Sequence, residues 1–287
     1  MKPTLGFIGL GLMGAPMSMR LLKAGYTLHI FNRTKEKAAS LITNGAHWQN
    51  SPADVAANAE IVFTMLTNDA AVKEVTSQIQ PKLATNGIHI DCSTVSPELT
   101  RALEQQYMKE GKSFLTSPVL GGVQQAIEGS LLLFVGGNDE AFKRVELILN
   151  ILGEKIWKFP NAETASHLKL IMNSFIAGMT STLAQAITYS EHAGIGGKTV
   201  LDVLNHSKLN SASFQAKGKM MLEKNFSALF FTENLLKDTN LFIDAAHSLN
   251  SPTPIAETAK TLLEKALAQG LGKDDYSAII KVLNKNW

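Results

Sequence analysis

The sequence predicts an α/β fold with a doubly wound, mostly parallel sheet, followed by an all-helical C-terminal domain. Short apolar segments alternate with helical patterns over the first half of the 287-residue chain, which is the pattern of βαβ units. A glycine-rich turn stands at the first strand–helix junction. Past about residue 160 the strand signals stop while helical spacing continues. We therefore place the domains at residues 1–161 and 162–287, with a long helix between them.

The first strand and helix carry a nucleotide-binding pattern. The apolar run 5–8 leads into Gly9-Leu10-Gly11-Leu12-Met13-Gly14, which fits G-x-G-x-x-G, and a helical pattern follows. Gly9 permits the tight turn, Gly11 lets backbone N–H groups approach a pyrophosphate, and Gly14 allows close packing of helix and strand. A glycine-rich turn without a nucleotide is the alternative. The strand–turn–helix–strand context favours a Rossmann-type dinucleotide-binding domain.

The end of the second predicted strand, 27–31, indicates which nucleotide binds. NAD-binding units usually place an acid about 20 residues past the glycines, where it binds the ribose 2′-hydroxyl. Asn32 occupies that position here, and Arg33 and Thr34 follow it. Asparagine removes the carboxylate that would repel a 2′-phosphate, while an arginine fork and a threonine hydroxyl suit phosphate. Arg33 could instead be a solvated loop residue and Thr34 a helix N-cap. The missing acid and the added base favour NADP(H) over NAD(H).

The remaining elements of the first domain follow from apolar runs and helix caps. A helix is expected over 35–44. Four further strands are predicted at 61–66, 87–92, 114–119 and 131–135. Three residues are expected to cap helices, two of them followed by proline at the first helical position: Ser51, Asn68 and Ser96.

The C-terminal domain begins with an unusually long predicted helix. From Thr164 to His192 apolar residues recur at helical spacing, which gives a helix of roughly 40 Å at 1.5 Å per residue. Glycines at 194, 196 and 197 end it. Shorter helical patterns follow at 198–206, 212–222, 232–248, 253–269 and 274–284. Such helices would have more apolar surface than a small domain can bury, so dimerisation through residues beyond 161 is expected.

Composition excludes several other classes of protein. Charged residues make up 18% of the chain and the net charge is +2, which argues against disorder and against a nucleic-acid or membrane surface. No run of roughly 18 apolar residues occurs, so no membrane span is expected. The single cysteine, Cys92, excludes an internal disulfide and fits a reducing compartment, so we expect a cytoplasmic protein. No cluster has metal-ligand spacing, and no metal is expected.

Hydride transfer at an alcohol carbon needs a matched proton transfer at the oxygen, by a group with a tuned pKa. Lys169 and Asn173 are four residues apart in the predicted long helix and therefore share one of its faces. They lie close to the domain boundary, as does His167. Taken alone, the pair is more often read as solvent-facing polar residues.

Taken together, the motifs resemble the β-hydroxyacid dehydrogenase family, which includes 3-hydroxyisobutyrate dehydrogenase, tartronate semialdehyde reductase and the glyoxylate/succinic semialdehyde reductases. The segment 6–17 is similar to its N-terminal signature, and 32–34 resembles its NADP-type loop. The segment 91–97 resembles the stretch whose Ser or Thr contacts the nicotinamide, and 118–122 the loop that binds the substrate carboxylate. Lys169-x-x-x-Asn173 matches the catalytic segment, and Lys237-Asp238 a pair late in the helical domain.

The resemblance implies a role for each matching residue. Lys169 would be the acid/base, and Asn173 would hydrogen-bond the substrate. Substrate-binding residues would be Ser93, Gly121, Gly122 and Asn173. Cofactor-binding residues would be Gly9, Leu10, Gly11, Leu12, Met13, Gly14, Asn32, Arg33, Thr34, Met65, Leu66, Thr94 and Lys237. A homodimer or homotetramer is also implied.

Three departures from the family pattern concern the substrate side. Leu120 stands where the family usually has serine, which leaves backbone N–H groups as the main carboxylate donors. Gln125 stands where glycine is common, and Glu163 and Ala165 replace glycines that normally precede the catalytic lysine.

The leading hypothesis is an NADPH-dependent reductase of a small aldehyde- or keto-acid, such as glyoxylate or succinic semialdehyde. In the reverse direction the enzyme would act as a dehydrogenase of a hydroxyacid such as 3-hydroxyisobutyrate. One alternative is an imine reductase, which resembles this architecture but generally lacks the lysine. Another is a non-catalytic NADP-binding sensor or scaffold, suggested by the altered substrate loop.

Overall fold

The computed structural model describes residues 2–284. The chain divides between Lys169 and Leu170 into two compact units. That division falls inside the long helix, because the first eight residues of the helix pack with the sheet-containing unit.

Within residues 2–284 one sheet contains nine strands, and six of them form its parallel part. The strands are β1 (Leu5–Ile8), β2 (Leu28–Phe31), β3 (His47–Trp48), β4 (Ile61–Thr64), β5 (Ile88–Asp91), β6 (Ser113–Thr116), β7 (Val119–Leu120), β8 (Leu131–Gly137) and β9 (Gly153–Phe159). The parallel order is β3-β2-β1-β4-β5-β6. β8 runs antiparallel to β6 and β7, and β9 pairs with β8 in parallel. The strand order reverses between β1 and β4, which is where such sheets open a crevice for ligands at their carboxyl ends.

Seven α-helices follow or connect these strands within the described part of the first unit. They are α1 (Gly14–Lys23), α2 (Ala39–Thr43), α3 (Pro52–Ala57), α4 (Asp69–Ile79), α5 (Pro97–Lys109), α6 (Val123–Glu128) and α7 (Asp139–Leu152). The three predicted N-caps are confirmed. The side chains of Ser51, Asn68 and Ser96 accept the N–H of the residue three positions on, at 3.1, 2.9 and 3.2 Å.

The first unit differs from the prediction in two elements and contains four more that were not predicted. The predicted helix 35–44 begins as a 3-10 turn over Lys35–Ala38 before α2. The predicted strand 114–119 is broken at Pro118, which has no N–H to continue a ladder, into β6 and β7. The prediction also lacked the two-residue β3, and β9, whose charged sequence is held by pairing with β8. The short helix α6 and helix α7 were not predicted either.

The second unit consists of helices packed around the long one. They are α8 (Ala162–His192, shared with the first unit), α9 (Gly197–His206), α10 (Ala212–Leu222), α11 (Thr232–Ser248), α12 (Pro254–Ala268), a 3-10 turn (Tyr276–Ile279) and α13 (Ile280–Leu283). Leu183 and Ile187 of α8 pack with Met221, Leu235 and Leu263 to form the core of this unit. The all-helical C-terminal domain with its long leading helix is therefore confirmed.

The long helix α8 also meets the length and composition of a membrane-spanning helix, with a mean hydropathy of 1.3 over one window. The sequence predicted no span, because charged and polar residues interrupt its apolar runs. Length and hydropathy are weak indicators here, since interior helices of folded domains pass the same test and 44% of this window is buried.

Candidate cofactor and active site

A cavity of about 390 Å³ opens at the carboxyl ends of β1, β2 and β4, where the strand order reverses. Seven residues predicted to bind the cofactor line it: Gly9, Gly11, Asn32, Arg33, Thr34, Met65 and Leu66. The lining also includes residues that the sequence analysis did not assign, among them Lys37, Ser51, Thr67, Glu74 and Gln78. Their positions in the sequence could have indicated them, because they follow strand ends or belong to the helices that start there.

The glycine turn has the geometry that the fingerprint predicts. Gly9 has φ +97°, and a Cβ there would overlap the Met65 carbonyl oxygen. A Cβ at Gly14 would overlap the Gly9 carbonyl oxygen, so helix α1 can start this close to β1 only with glycine. A Cβ at Gly11 would meet no atom within 4 Å. The open space beside Gly11, at the start of α1, fits the pyrophosphate of a dinucleotide.

Asn32 joins the glycine turn to the loop after β2. Its Oδ1 accepts the Leu10 N–H at 2.9 Å, and its Nδ2 donates to the Thr34 carbonyl oxygen at 2.8 Å. Leu10 is buried in the apolar core and does not line the cavity. Asn32 therefore positions both loops and brings no carboxylate to the site.

Two cationic side chains reach the cavity beside Asn32. Arg33 and Lys37 both line it and are exposed, and neither makes an ion pair with another residue in the range 2–284. Glu74 is the one carboxylate among the described lining residues. The local balance of charge is therefore +1, which suits the extra phosphate of NADP(H) better than a bare ribose hydroxyl.

Behind the cavity lies a buried set of polar side chains on β4 and β5. Asp91 Oδ1 accepts hydrogen bonds from the hydroxyls of Thr64 and Ser93, both at 2.6 Å. Burial raises the pKa of Asp91, and the hydrogen bonds from Ser93 and Thr64 oppose that rise. Ser93 Oγ also accepts the Leu66 N–H at 2.8 Å. Because the Ser93 hydroxyl is occupied in this way, its predicted contact with substrate stays a prediction, as does that of Thr94 with the nicotinamide.

The catalytic pair predicted from the sequence lies on α8 and is buried. Lys169 is 8% exposed and Asn173 is 1% exposed, so the alternative of two solvent-facing residues is excluded. Asn173 Nδ2 donates to Asp238 Oδ2 at 2.7 Å, and Lys237 Nζ lies 2.8 Å from Asp238 Oδ1. Lysine is seldom buried in proteins, and a buried lysine at a cofactor site can serve in proton transfer.

Two family models together match nearly the whole chain. Residues 4–159 match the family model described as the NAD binding domain of 6-phosphogluconate dehydrogenase. Residues 164–283 match the model described as NAD-binding of NADP-dependent 3-hydroxyisobutyrate dehydrogenase. The chain belongs to the β-hydroxyacid dehydrogenase family. It therefore has the domains of an NAD(P)-dependent hydroxyacid dehydrogenase.

Individual relatives cover nearly all of the chain. It is 35% identical to the uncharacterized oxidoreductase YfjR of Bacillus subtilis, over 96% of this chain and 98% of the relative. It is 28% identical to the chloroplastic glyoxylate/succinic semialdehyde reductase 2 of Arabidopsis thaliana, over 98% and 79%. The structure of Mycobacterium tuberculosis 3-hydroxyisobutyrate dehydrogenase with L-serine superposes with a TM-score of 0.89 at 26% identity, over 99% of this chain and 100% of that one.

An imine reductase from Myxococcus stipitatus, solved with NADP⁺, is more distant. Its TM-score is 0.65 at 21% identity, over 98% of this chain and 100% of that one. A similarity at this level shows a shared fold alone.

Within the family's substrate loop, Gln125 has a specific contact. Its Oε1 accepts the Gly122 N–H at 2.9 Å, and Gly121 has φ +139°. Both glycines of this loop, Gly121 and Gly122, were predicted to bind the substrate carboxylate through their N–H groups. The Gly122 N–H is instead bound by a side chain that the family pattern lacks, because glycine is common at position 125. A substrate carboxylate would have to displace that side chain to reach this donor.

Proposed function

We propose that the protein is an NADP(H)-dependent reductase of a small aldehyde- or keto-acid, acting as a dehydrogenase in the reverse direction. The observation that carries this proposal is the burial of Lys169 and Asn173, one helical turn apart on α8. Arg33 and Lys37 in the nucleotide cavity support NADP(H) as the cofactor. The semialdehyde reductase among the relatives supports the substrate class.

In the proposed reaction each residue has a separate task. The bound nicotinamide cofactor supplies the hydride for the carbonyl carbon. Lys169 donates a proton to the carbonyl oxygen, and takes it back when the alcohol is oxidised. Asn173 hydrogen-bonds the substrate in the orientation that Asp238 sets through the 2.7 Å contact with its Nδ2. The backbone N–H of Gly121 binds the substrate carboxylate, and that of Gly122 joins it once the carboxylate displaces Gln125 Oε1.

A substrate panel tests the proposal against its alternatives. NADPH consumption is measured with glyoxylate, succinic semialdehyde and a cyclic imine, and NADP⁺ reduction with 3-hydroxyisobutyrate. Turnover of a carbonyl acid with NADPH supports the proposal, and preferential turnover of the imine would replace it with imine reduction. NADPH binding in a direct titration, without turnover of any substrate, would favour the sensor or scaffold.

Gln125→Ala is expected to lower KM for the carboxylate substrate by about 2- to 10-fold. The substitution frees the Gly122 N–H, and an exposed hydrogen bond of this kind contributes about 0.5–1.5 kcal/mol. Gln125→Glu keeps an acceptor for that N–H but adds a negative charge, so KM should rise. Gln124→Ala, which loses only a contact to Glu128, is the matched control. An unchanged KM in both Gln125 variants would remove this residue from the substrate site.

We further propose that the protein associates through its second unit, either as a homodimer or as the dimers that make up a homotetramer. On α8, Ile171 is 44% exposed and Phe175 is 58% exposed, and on α12 Ile255 is 71% exposed. Phe175 and Ile255 line a cavity of about 470 Å³ together with Phe214 and Phe242. An apolar surface of this kind on one unit is typical of a subunit interface.

Phe175→Glu is expected to dissociate the oligomer, because the new carboxylate would be buried without a partner in the interface. Light scattering at micromolar concentration gives the mass before and after the change. Leu147→Glu on α7, at a leucine that is 79% exposed in the first unit, is the control and should leave the mass unchanged. A monomeric wild-type protein would contradict the proposal.

A further inference from the structure

Five buried polar side chains form a continuous hydrogen-bonded chain through the sheet. It runs from Tyr107 on α5 through His89 on β5 and Thr64 on β4 to Asp91 and Ser93, and none of the five is more than 1% exposed. The successive contacts are 2.8, 2.9, 2.6 and 2.6 Å. Thr64 and Asp91 are direct neighbours in the β4–β5 register.

Thr64 donates its hydroxyl hydrogen to Asp91. With that bond fixed, the donor and the acceptor of every other hydrogen bond in this chain follow. The Thr64 hydroxyl has a single hydrogen, so its contact with His89 Nε2 makes the imidazole the donor there. Burial lowers the pKa of His89 to about 3, which keeps the ring neutral. Its Nδ1 is then an acceptor, and the Tyr107 hydroxyl donates to it. Every hydrogen in the chain therefore points towards Asp91.

The end of the chain reaches the wall of the cofactor cavity. Ser93 donates to Asp91 and accepts the N–H of Leu66 at 2.8 Å, and Leu66 lines the cavity next to Met65. The Met65 N–H in turn donates to the Ile8 carbonyl oxygen at 2.9 Å, at the end of β1. The chain thus joins the carboxyl ends of β4 and β5 at the point where the cavity opens.

The acid at the centre of this chain is costly for the fold. Asp91 is fully buried, and no lysine or arginine among residues 2–284 makes an ion pair with it. Its Oδ2 has no hydrogen-bond partner within the same range. Burying a carboxyl group without an ion-pair partner costs desolvation free energy, and what this acid supplies in return is an acceptor for two neighbouring hydroxyls.

We propose that Asp91 is a positioning residue of the cofactor site. By accepting from Thr64 and Ser93 at once, it fixes the loop after β5 against the loop after β4 and so holds the Leu66 wall of the cavity. His89 and Tyr107 act through Thr64, because they hold its hydroxyl in the orientation that donates to Asp91. The proposal rests on the nicotinamide cofactor of the family and not on any substrate.

The test compares two identical substitutions at fully buried threonines. Thr64→Val removes the link between His89 and Asp91, whereas Thr100→Val removes a hydroxyl on α5 that donates to the Pro97 carbonyl oxygen at 2.9 Å. Thermal unfolding and the dissociation constants of NADPH and NADH are measured on both folded variants. Both should lose thermal stability, but only Thr64→Val should raise the dissociation constant of the tighter cofactor, by about 10-fold.

Two substitutions of Asp91 itself separate positioning from charge. Asp91→Asn keeps the Oδ1 acceptor, so its cofactor affinity should stay within about threefold of the wild-type value. Asp91→Val removes the acceptor and should weaken cofactor binding at least as much as Thr64→Val. Cofactor affinity that is unchanged in Thr64→Val, while stability falls as in Thr100→Val, would overturn the proposal. If Asp91→Val fails to fold, the two threonine variants still decide it.

Discussion

Lys169→Met is expected to lower kcat by about 100- to 10,000-fold, the range that general acid–base catalysis supplies. Methionine keeps most of the volume of the buried lysine side chain but has no proton to transfer. The dissociation constant of NADPH should change little, because Lys169 is not among the residues that line the cavity holding the predicted cofactor-binding residues. Steady-state kinetics with the best substrate of the panel, alongside a direct NADPH titration, measures both quantities.

The control for this variant is Lys219→Met. Lys219 lies on α10, and its side chain is 70% exposed beside Glu223, so its removal should leave kcat at the wild-type value. If Lys169 had only a structural role, replacing it with methionine would lower the unfolding temperature and leave kcat nearly unchanged. Near-normal turnover by a folded Lys169→Met variant would eliminate Lys169 as the proton donor.

Local signals were enough to predict most of the fold. The N-caps at Ser51, Asn68 and Ser96 depend on hydrogen bonds within three residues, so the sequence alone showed where α3, α4 and α5 begin. β9 depends on its neighbour in the sheet. Its run Gly153–Phe159 contains three charged residues and is a strand because β8 offers an open edge for pairing. Non-local pairing of this kind leaves no periodic pattern in the sequence.

Local signals also predicted residues that line the nucleotide cavity, since the fingerprint residues and Asn32-Arg33-Thr34 each follow a strand that is visible in the sequence. The contact between Gln125 and the Gly122 N–H was missed because it caps α6, a six-residue helix that was not predicted. The hydrogen-bonded chain of side chains from Tyr107 to Ser93 could not be predicted from the sequence either. Its members are spread over β4, β5 and α5, and only the strand register brings them together.

Arg33→Ala is expected to weaken NADPH binding by about 10- to 150-fold while changing NADH binding little. A charge-assisted hydrogen bond to the 2′-phosphate contributes about 1.5–3 kcal/mol, and NADH has no phosphate at that position. Lys37, which also lines the cavity, remains in the variant. The loss of NADPH affinity should therefore be smaller than if both cations were removed. Titration of both cofactors into the folded variant gives the two ratios.

Arg144→Ala is the matched control for the loss of an exposed arginine in the same unit. Arg144 donates to the Asn86 carbonyl oxygen and lies outside the nucleotide cavity, so both cofactors should bind to this variant as to the wild type. The discriminating quantity is the ratio of the NADPH and NADH dissociation constants, because a general disturbance of the loop after β2 would weaken both cofactors together. Equal weakening in Arg33→Ala would mean that Arg33 shapes the loop and leaves the 2′-phosphate to Lys37 and Thr34. Selective loss of NADPH would assign the preference to Arg33 itself, with Asn32 supporting it by holding the loop without a competing carboxylate.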